Sequence, residues 1–161
     1  MACVALGLGS NLGGRLANLR EAAARLSALG RITARSDVFE TEPWGLEAQP
    51  RFLNSCLTME TDLAPQALLA ALKGIEAAMG RRKNVRWGAR CIDVDILLMG
   101  GLLYEAPDLH IPHIHLPVRE FVLTPLAQIL PDWRHPASGS TVAEMARSAA
   151  SDHPPLRVTA L

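Results

Sequence analysis

Residues 91–99 read CIDVDILLM, an apolar run cut twice by aspartate. Along a strand, successive side chains point to opposite faces. Ile92, Val94 and Ile96 therefore share one face, and Asp93 and Asp95 share the other. A sheet built on such a strand packs one face on a core and turns acidic side chains outward on the other, the usual division in antiparallel sheets.

The rest of the chain supplies partners for this strand. CVALGLGSN is a short apolar run that ends in glycines, a buried strand meeting a tight turn that accounts for Gly7, Gly9, Gly13 and Gly14. From Arg15 to Leu29, Leu16, Leu19, Ala23 and Leu26 recur at helical spacing, with Gly30 as the C-cap. RITARSDVFET predicts a second, bulged strand, and EPWGLEAQPR a loop. FLNSCLTMET alternates well: Leu53, Ser55, Leu57 and Met59 lie on one face, and Phe52, Asn54, Cys56 and Thr58 on the other. A helix starts at Asp62 or Ala64, with Pro65 in its first turn and Leu68, Leu69, Leu72, Ile75 and Met79 on its apolar face.

A basic loop leads into the aspartate strand, and GGLLYE reads as the return arm of a hairpin. APDLHIPHIHLPVREF is an ordered loop, VLTPLAQILP and TVAEMARSAA are short helical patterns, and the tail from about Ser151 is peripheral. The order strand, helix, strand, strand, helix, strand predicts an α+β, ferredoxin-like β-α-β-β-α-β antiparallel sheet. Its helices lie on one side, with C-terminal additions, in a single domain over residues 1–161. That fold hosts many unrelated functions, so the function must be read from side chains.

Charge removes some classes. Lys+Arg and Asp+Glu each number 16, so there is no global basic footprint for nucleic acid. Cys3, Cys56 and Cys91 are too few and too scattered for a disulfide framework or a cysteine metal site. MACVALGLGS lacks the length and basic start of a signal peptide. No apolar run approaches membrane-spanning length. A soluble cytoplasmic protein is expected.

Asp93 and Asp95 have Cα atoms roughly 6.6 Å apart on a strand. Two carboxylates so spaced can converge on metal ions about 3.5–4 Å from each other. Alone, the pair would read as an acidic solvent face. Arg81, Arg82, Lys83, Arg86 and Arg90 stand just before it, in a segment that also holds Trp87 and the glycines Gly80 and Gly88. Carboxylates with Mg²⁺ on one side and guanidinium groups on the other make a triphosphate site, and a tryptophan in a glycine-hinged basic segment suits closure over a ligand. GLGSNLGG lacks the spacing of a phosphate-binding glycine loop, so ATP chemistry here rests on side chains and metal.

RWGARCIDVDIL resembles the signature of the 6-hydroxymethyl-7,8-dihydropterin pyrophosphokinase family. GLGSNLG, FETEPWG, QPRFLNS, IEAAMGR and LHIPHIHLPVREFVLTPL match in the same order, so the resemblance spans roughly residues 4 to 132. It implies a ferredoxin-like enzyme of folate biosynthesis that transfers diphosphate from ATP to the pterin hydroxymethyl oxygen and releases AMP. It further implies that Asp93 and Asp95 hold two Mg²⁺ ions and that Arg81 and Arg90 contact phosphates or organise a closing loop, with Arg82 and Lys83 as further phosphate contacts. Arg86 and Trp87 then belong to that loop; Glu76, His110, His113 and Arg119 to the ATP site; and Ile96 to the adenine. Thr41, Glu42, Pro43, Trp44, Phe52, Asn54 and Phe121 belong to the pterin pocket. Asp108, His110 and Ile114 depart from the family pattern.

The residues themselves suit that pocket. A pterin is flat and rich in hydrogen-bonding groups, so Phe52 and Phe121 can stack on its faces, and the Asn54 amide can both donate and accept. His110, His113 and His115 form an H-x-x-H-x-H run without a cysteine or acidic partner at zinc spacing. A ferredoxin-like binding module without chemistry and a two-metal phosphohydrolase are the rival readings. The expected partners are small molecules, ATP and the pterin, with neither nucleic acid nor membrane, acting on a monomer.

Overall fold

The computed structural model describes residues 1–41, 51–80 and 91–161. Strand β1 (Ala2–Ser10), helix α1 (Arg15–Leu26), β2 (Arg31–Arg35), β3 (Asp37–Thr41), β4 (Phe52–Thr61), α2 (Pro65–Ala78) and β5 (Asp93–Met99) follow in the expected order. After them come β6 (Tyr104–Ala106), β7 (Leu109–Ile111), a 3-10 turn (Leu116–Val118), α3 (Glu120–Ile129), α4 (Val142–Ala149) and β8 (Leu156–Ala160). The main sheet runs β5-β1-β4-β3-β8, with β2 also on β4, and its pairs are antiparallel. This is the α+β, ferredoxin-like arrangement. Among the described residues no helix is long and apolar enough to cross a membrane.

β2 and β3 are the two halves of the expected bulged strand, broken at Ser36. Ser36 is buried, so its polar atoms need partners. Its amide donates to the Cys56 carbonyl at 2.8 Å, its Oγ accepts from the Cys56 amide at 2.8 Å, and Ser55 Oγ lies 2.9 Å from it.

The alternation seen in the sequence separates two cores. Val4, Leu6, Leu8, Leu57, Met59, Val94 and Ile96 meet Leu19, Ala23 and Leu26 of α1 and Leu68 and Leu72 of α2. Each fully buried leucine among them contributes about 2 kcal/mol. On the opposite face, Ala5, Cys56, Leu97 and Leu98 meet Leu123 and Leu126 of α3 and Val142 and Met145 of α4. The β1–β5 register shifts at Ala5/Leu6. This bulge lets the consecutive Leu97 and Leu98 both reach the second core. The paired helices α1 and α2 thus share one face, and the C-terminal additions cover part of the other.

Four local expectations are corrected. GGLLYE does not return along β5; β6 pairs with β7 in a separate two-stranded sheet. APDLHIPHIHLPVREF is not loop throughout, because it carries β7 and the 3-10 turn, while the tail wraps onto the main sheet as β8 beside β3. Gly7 and Gly9 lie within β1 rather than in the turn, where Gly13 takes a φ of 71°. Gly30 lies beyond the α1 cap at Ser27, and a Cβ there would come within 2.2 Å of the Glu60 carbonyl oxygen. Its role is close approach to β4 rather than helix capping.

Gly30→Ala should therefore destabilise the fold by about 2 kcal/mol. Gly74→Ala, inside α2 with nothing within 4 Å of the added carbon, should stabilise it by about 0.5–1 kcal/mol. Denaturant midpoints of the two variants check this, and an unmoved midpoint for Gly30→Ala would contradict the close approach.

Candidate active site

β5 is the terminal strand of the sheet, so its outer backbone edge must find partners other than a strand. The Val94 amide donates to Glu76 Oε2 of α2 at 2.9 Å, and Glu76 is buried. This bond falls between Asp93 and Asp95 and anchors the backbone that carries them. Asp93 is half-buried and Asp95 is exposed.

Across β1, Asp93 stands opposite Gly9 and Asp95 opposite Gly7. On the far side of β1, Gly9 faces Asn54 and Gly7 faces Cys56. Two rows therefore cross the sheet on the face opposite α1 and α2: Asn54–Gly9–Asp93 and Cys56–Gly7–Asp95. With strands about 4.8 Å apart, Asn54 and Asp93 lie roughly 10 Å from each other. A Cβ at Gly9 would come 3.0 Å from Asn54 Oδ1 and 3.7 Å from Phe52 Cδ1, so glycine keeps the floor between the amide and the carboxylate flat.

Thr41 ends β3 opposite Phe52. Asn54 is buried and its Nδ2 donates to Thr41 Oγ1 at 2.6 Å, which fixes the direction of the amide. Phe121 lies in the first turn of α3, the helix that packs on this same face, where Cys56 Sγ lies 3.6 Å from the Val122 carbonyl. The Arg119 guanidinium sits 5.6 Å from the Phe121 ring centroid. Thr41, Phe52, Asn54, Phe121 and the two aspartates thus belong to one side of the sheet.

Asp95, Ile96, His110 and His113 meet in a cleft of about 260 Å³. Leu69 and Val94 line it from α2 and β5, and Pro107, Asp108, Leu109 and Ile114 from the hairpin and the turn after it. Gln66 Nε2 donates to Tyr104 Oη at 3.0 Å and to Asp108 Oδ1 at 3.1 Å, which ties the hairpin to α2. The His113 amide donates to the Leu97 carbonyl at 2.8 Å, and its Nδ1 accepts from the His115 amide at 3.1 Å. The ring proton of neutral His113 is therefore on Nε2. Burial, then the charges of Arg119, His115 and His110, lower its pKa to about 4.

Sequence reasoning passed over Gly7 and Gly9 as floor residues, and Leu69, Pro107 and Leu109 as lining. Glu76 sits behind β5 rather than among the cleft lining. Its signal was positional: Leu68, Leu72 and Glu76 continue one buried helical stripe, and a carboxylate there needs a buried donor. Arg81, Arg82, Lys83, Arg86, Trp87 and Arg90 lie outside the described residues, as do Glu42, Pro43 and Trp44. Among the described residues no three His, Cys, Asp or Glu side chains group to hold a metal ion.

The sequence profile of the family described as 7,8-dihydro-6-hydroxymethylpterin-pyrophosphokinase (HPPK) matches residues 5–131. The 2-amino-4-hydroxy-6-hydroxymethyldihydropteridine pyrophosphokinase of Pseudomonas aeruginosa is 42% identical over 135 residues, 83% of each chain. The protein of the same name from Aquifex aeolicus is 41% identical over 136 residues, 84% of this chain and 85% of its own. A crystal structure of wild-type Plasmodium falciparum HPPK-DHPS with pteroate covers 91% of this chain with a TM-score of 0.75 at 16% identity. This chain spans 42% of that protein's length, and at such identity the likeness is one of fold. By its profile match and its relatives, the chain belongs to the 7,8-dihydro-6-hydroxymethylpterin-pyrophosphokinase family.

Proposed function

We propose that this protein transfers diphosphate from ATP to the hydroxymethyl oxygen of 6-hydroxymethyl-7,8-dihydropterin, releasing AMP. Family membership supports pyrophosphokinase activity in folate synthesis. The observation that carries the finer reading is the Asn54–Gly9–Asp93 row, an amide and a carboxylate on one flat floor.

On this reading Asn54, oriented by Thr41, pairs with the edge of the pterin ring, and Phe52 and Phe121 stack on its faces. The ring's hydroxymethyl group then points along the floor toward β5. Asp93 and Asp95 fit Mg²⁺, a hard cation that takes one or two protein carboxylates and completes its shell with water and phosphate oxygens. When bound, two such ions would neutralise phosphate charge and lower the pKa of the alcohol. Glu76 keeps the two carboxylates in place through the Val94 amide. His113 offers its Nε2 proton to a phosphate oxygen, with Arg119 adding positive charge nearby. Ile96 and Leu69 give the cleft an apolar wall for adenine. Arg81, Arg82, Lys83, Arg86, Trp87 and Arg90 are assigned to the triphosphate, and Glu42, Pro43 and Trp44 to the pterin. Catalysis is then positioning for in-line attack together with charge neutralisation.

ATP consumption should require both the pterin alcohol and Mg²⁺. Asp95→Asn should lower turnover roughly 10²–10³-fold. Near-normal turnover in a folded Asp95→Asn protein would contradict the metal assignment.

His113 also makes a pH prediction. Its pKa falls from 6.5 to about 4 on folding, so between these values the unfolded chain binds a proton that the native chain does not. Its contribution to stability is full above pH 6.5 and is lost as pH falls toward 4. His113→Gln should flatten the decline in denaturant midpoint between pH 7 and pH 4.5. An unchanged decline would show that other groups carry it.

A further inference from the structure

We propose that Arg15 is a positioning residue for the pterin side of the site, holding together the strand ends that carry Thr41 and Phe52. The proposal rests on the diphosphate-transfer reading above. Arg15 Nη1 donates to Glu40 Oε2 at 3.0 Å and to the Arg51 carbonyl at 2.7 Å. The Arg51 guanidinium lies 3.9 Å from the other Glu40 oxygen. Glu40 immediately precedes Thr41, and Arg51 immediately precedes Phe52, its partner across the ladder.

The tie sits at the end of β3 that leads into the pterin side of the site. Among the described residues the β3–β4 ladder has three pairs, Phe39–Asn54, Glu40–Leu53 and Thr41–Phe52, and the last is next to the connecting residues 42–50. A terminal pair is held less firmly than the pairs behind it, so a restraint there bears directly on the placement of Thr41 and Phe52. Arg15 supplies one from outside the sheet, because it opens α1, whose Leu19 and Leu26 are anchored in the main core. The two protons of one guanidinium nitrogen reach both strands at once. The Arg15 and Glu40 side chains are 30% and 29% exposed, so the pair is shielded more than a surface ion pair. What it holds is the site's geometry: the Thr41 hydroxyl that accepts from Asn54, and the Phe52 ring beside Gly9.

Steady-state kinetics of the full chain test this. Arg15→Met keeps the stem and removes the donors. It should raise the pterin KM on the order of tenfold while the ATP KM stays within about twofold, with an intact circular dichroism spectrum. Arg15→Met combined with Glu40→Gln should be no worse than Arg15→Met alone, as for residues acting as a unit. An unchanged pterin KM in folded Arg15→Met, equal rises in both KM values, or additive effects would overturn the proposal. If Arg15→Met fails to fold, Arg15→Lys should still raise the pterin KM selectively, and no rise there overturns it equally. Wild-type protein that turns over no pterin at all counts against the reaction, whereas active wild type with an unaffected variant counts against Arg15 alone.

Discussion

Any side chain at position 9 would stand between Asn54 and Asp93. This constraint organises the site. β1 is central in the sheet, flanked by β4 and β5, and its neighbours bring a buried amide on one side and a carboxylate on the other. Glycine at position 9 leaves no side chain between them, whereas at Gly7 the Leu97 side chain takes that space. The same strand presents Val4, Leu6 and Leu8 to the opposite face, where they are fully buried or nearly so. One nine-residue strand therefore serves the first core with one set of alternate residues, while in the other set Ala5 joins the second core and Gly9 keeps the floor flat.

Around that floor, each functional element is held by something built elsewhere. β5 lies at the edge of the sheet, and buried Glu76 takes the amide between its two aspartates. The β6–β7 hairpin is tied to α2 through Gln66, so Asp108, His110 and Ile114 face β5 across the cleft. α3 is seated by a second core that the bulge at Leu97 and Leu98 helps to build, and this brings Phe121 to the same side as Phe52. β8 pairs with β3, so the strand that ends in Thr41 is flanked on both sides.

Much of this was legible in the sequence where period and chemistry agree. The alternation through Phe52–Met59 separated the two faces of β4 correctly, and the spacing of Asp93 and Asp95 placed both carboxylates on one side of β5. Pro65 marked the start of α2. What stayed hidden depends on contacts between distant residues. Gly30 resembles a helix cap, and only the approach of Glu60 shows why a side chain is excluded. The glycines of β1 resemble a turn because nothing local reveals which residues flank them. Short β6 has no pattern that distinguishes β7 from β5 as its partner, and the strand in the tail becomes a strand through β3. Glu76 and Arg15 act through partners 18 and 25 residues away, beyond the reach of local periodicity.

In the proposed reaction a single floor brings the pterin alcohol to the β-phosphorus of ATP, not to the γ-phosphorus. The most direct measurement is identification of the nucleotide formed when the protein is incubated with ATP, Mg²⁺ and 6-hydroxymethyl-7,8-dihydropterin. Diphosphate transfer yields AMP, one for each pterin diphosphate formed. ADP, or a nucleotide product that forms equally well without the pterin, would contradict it.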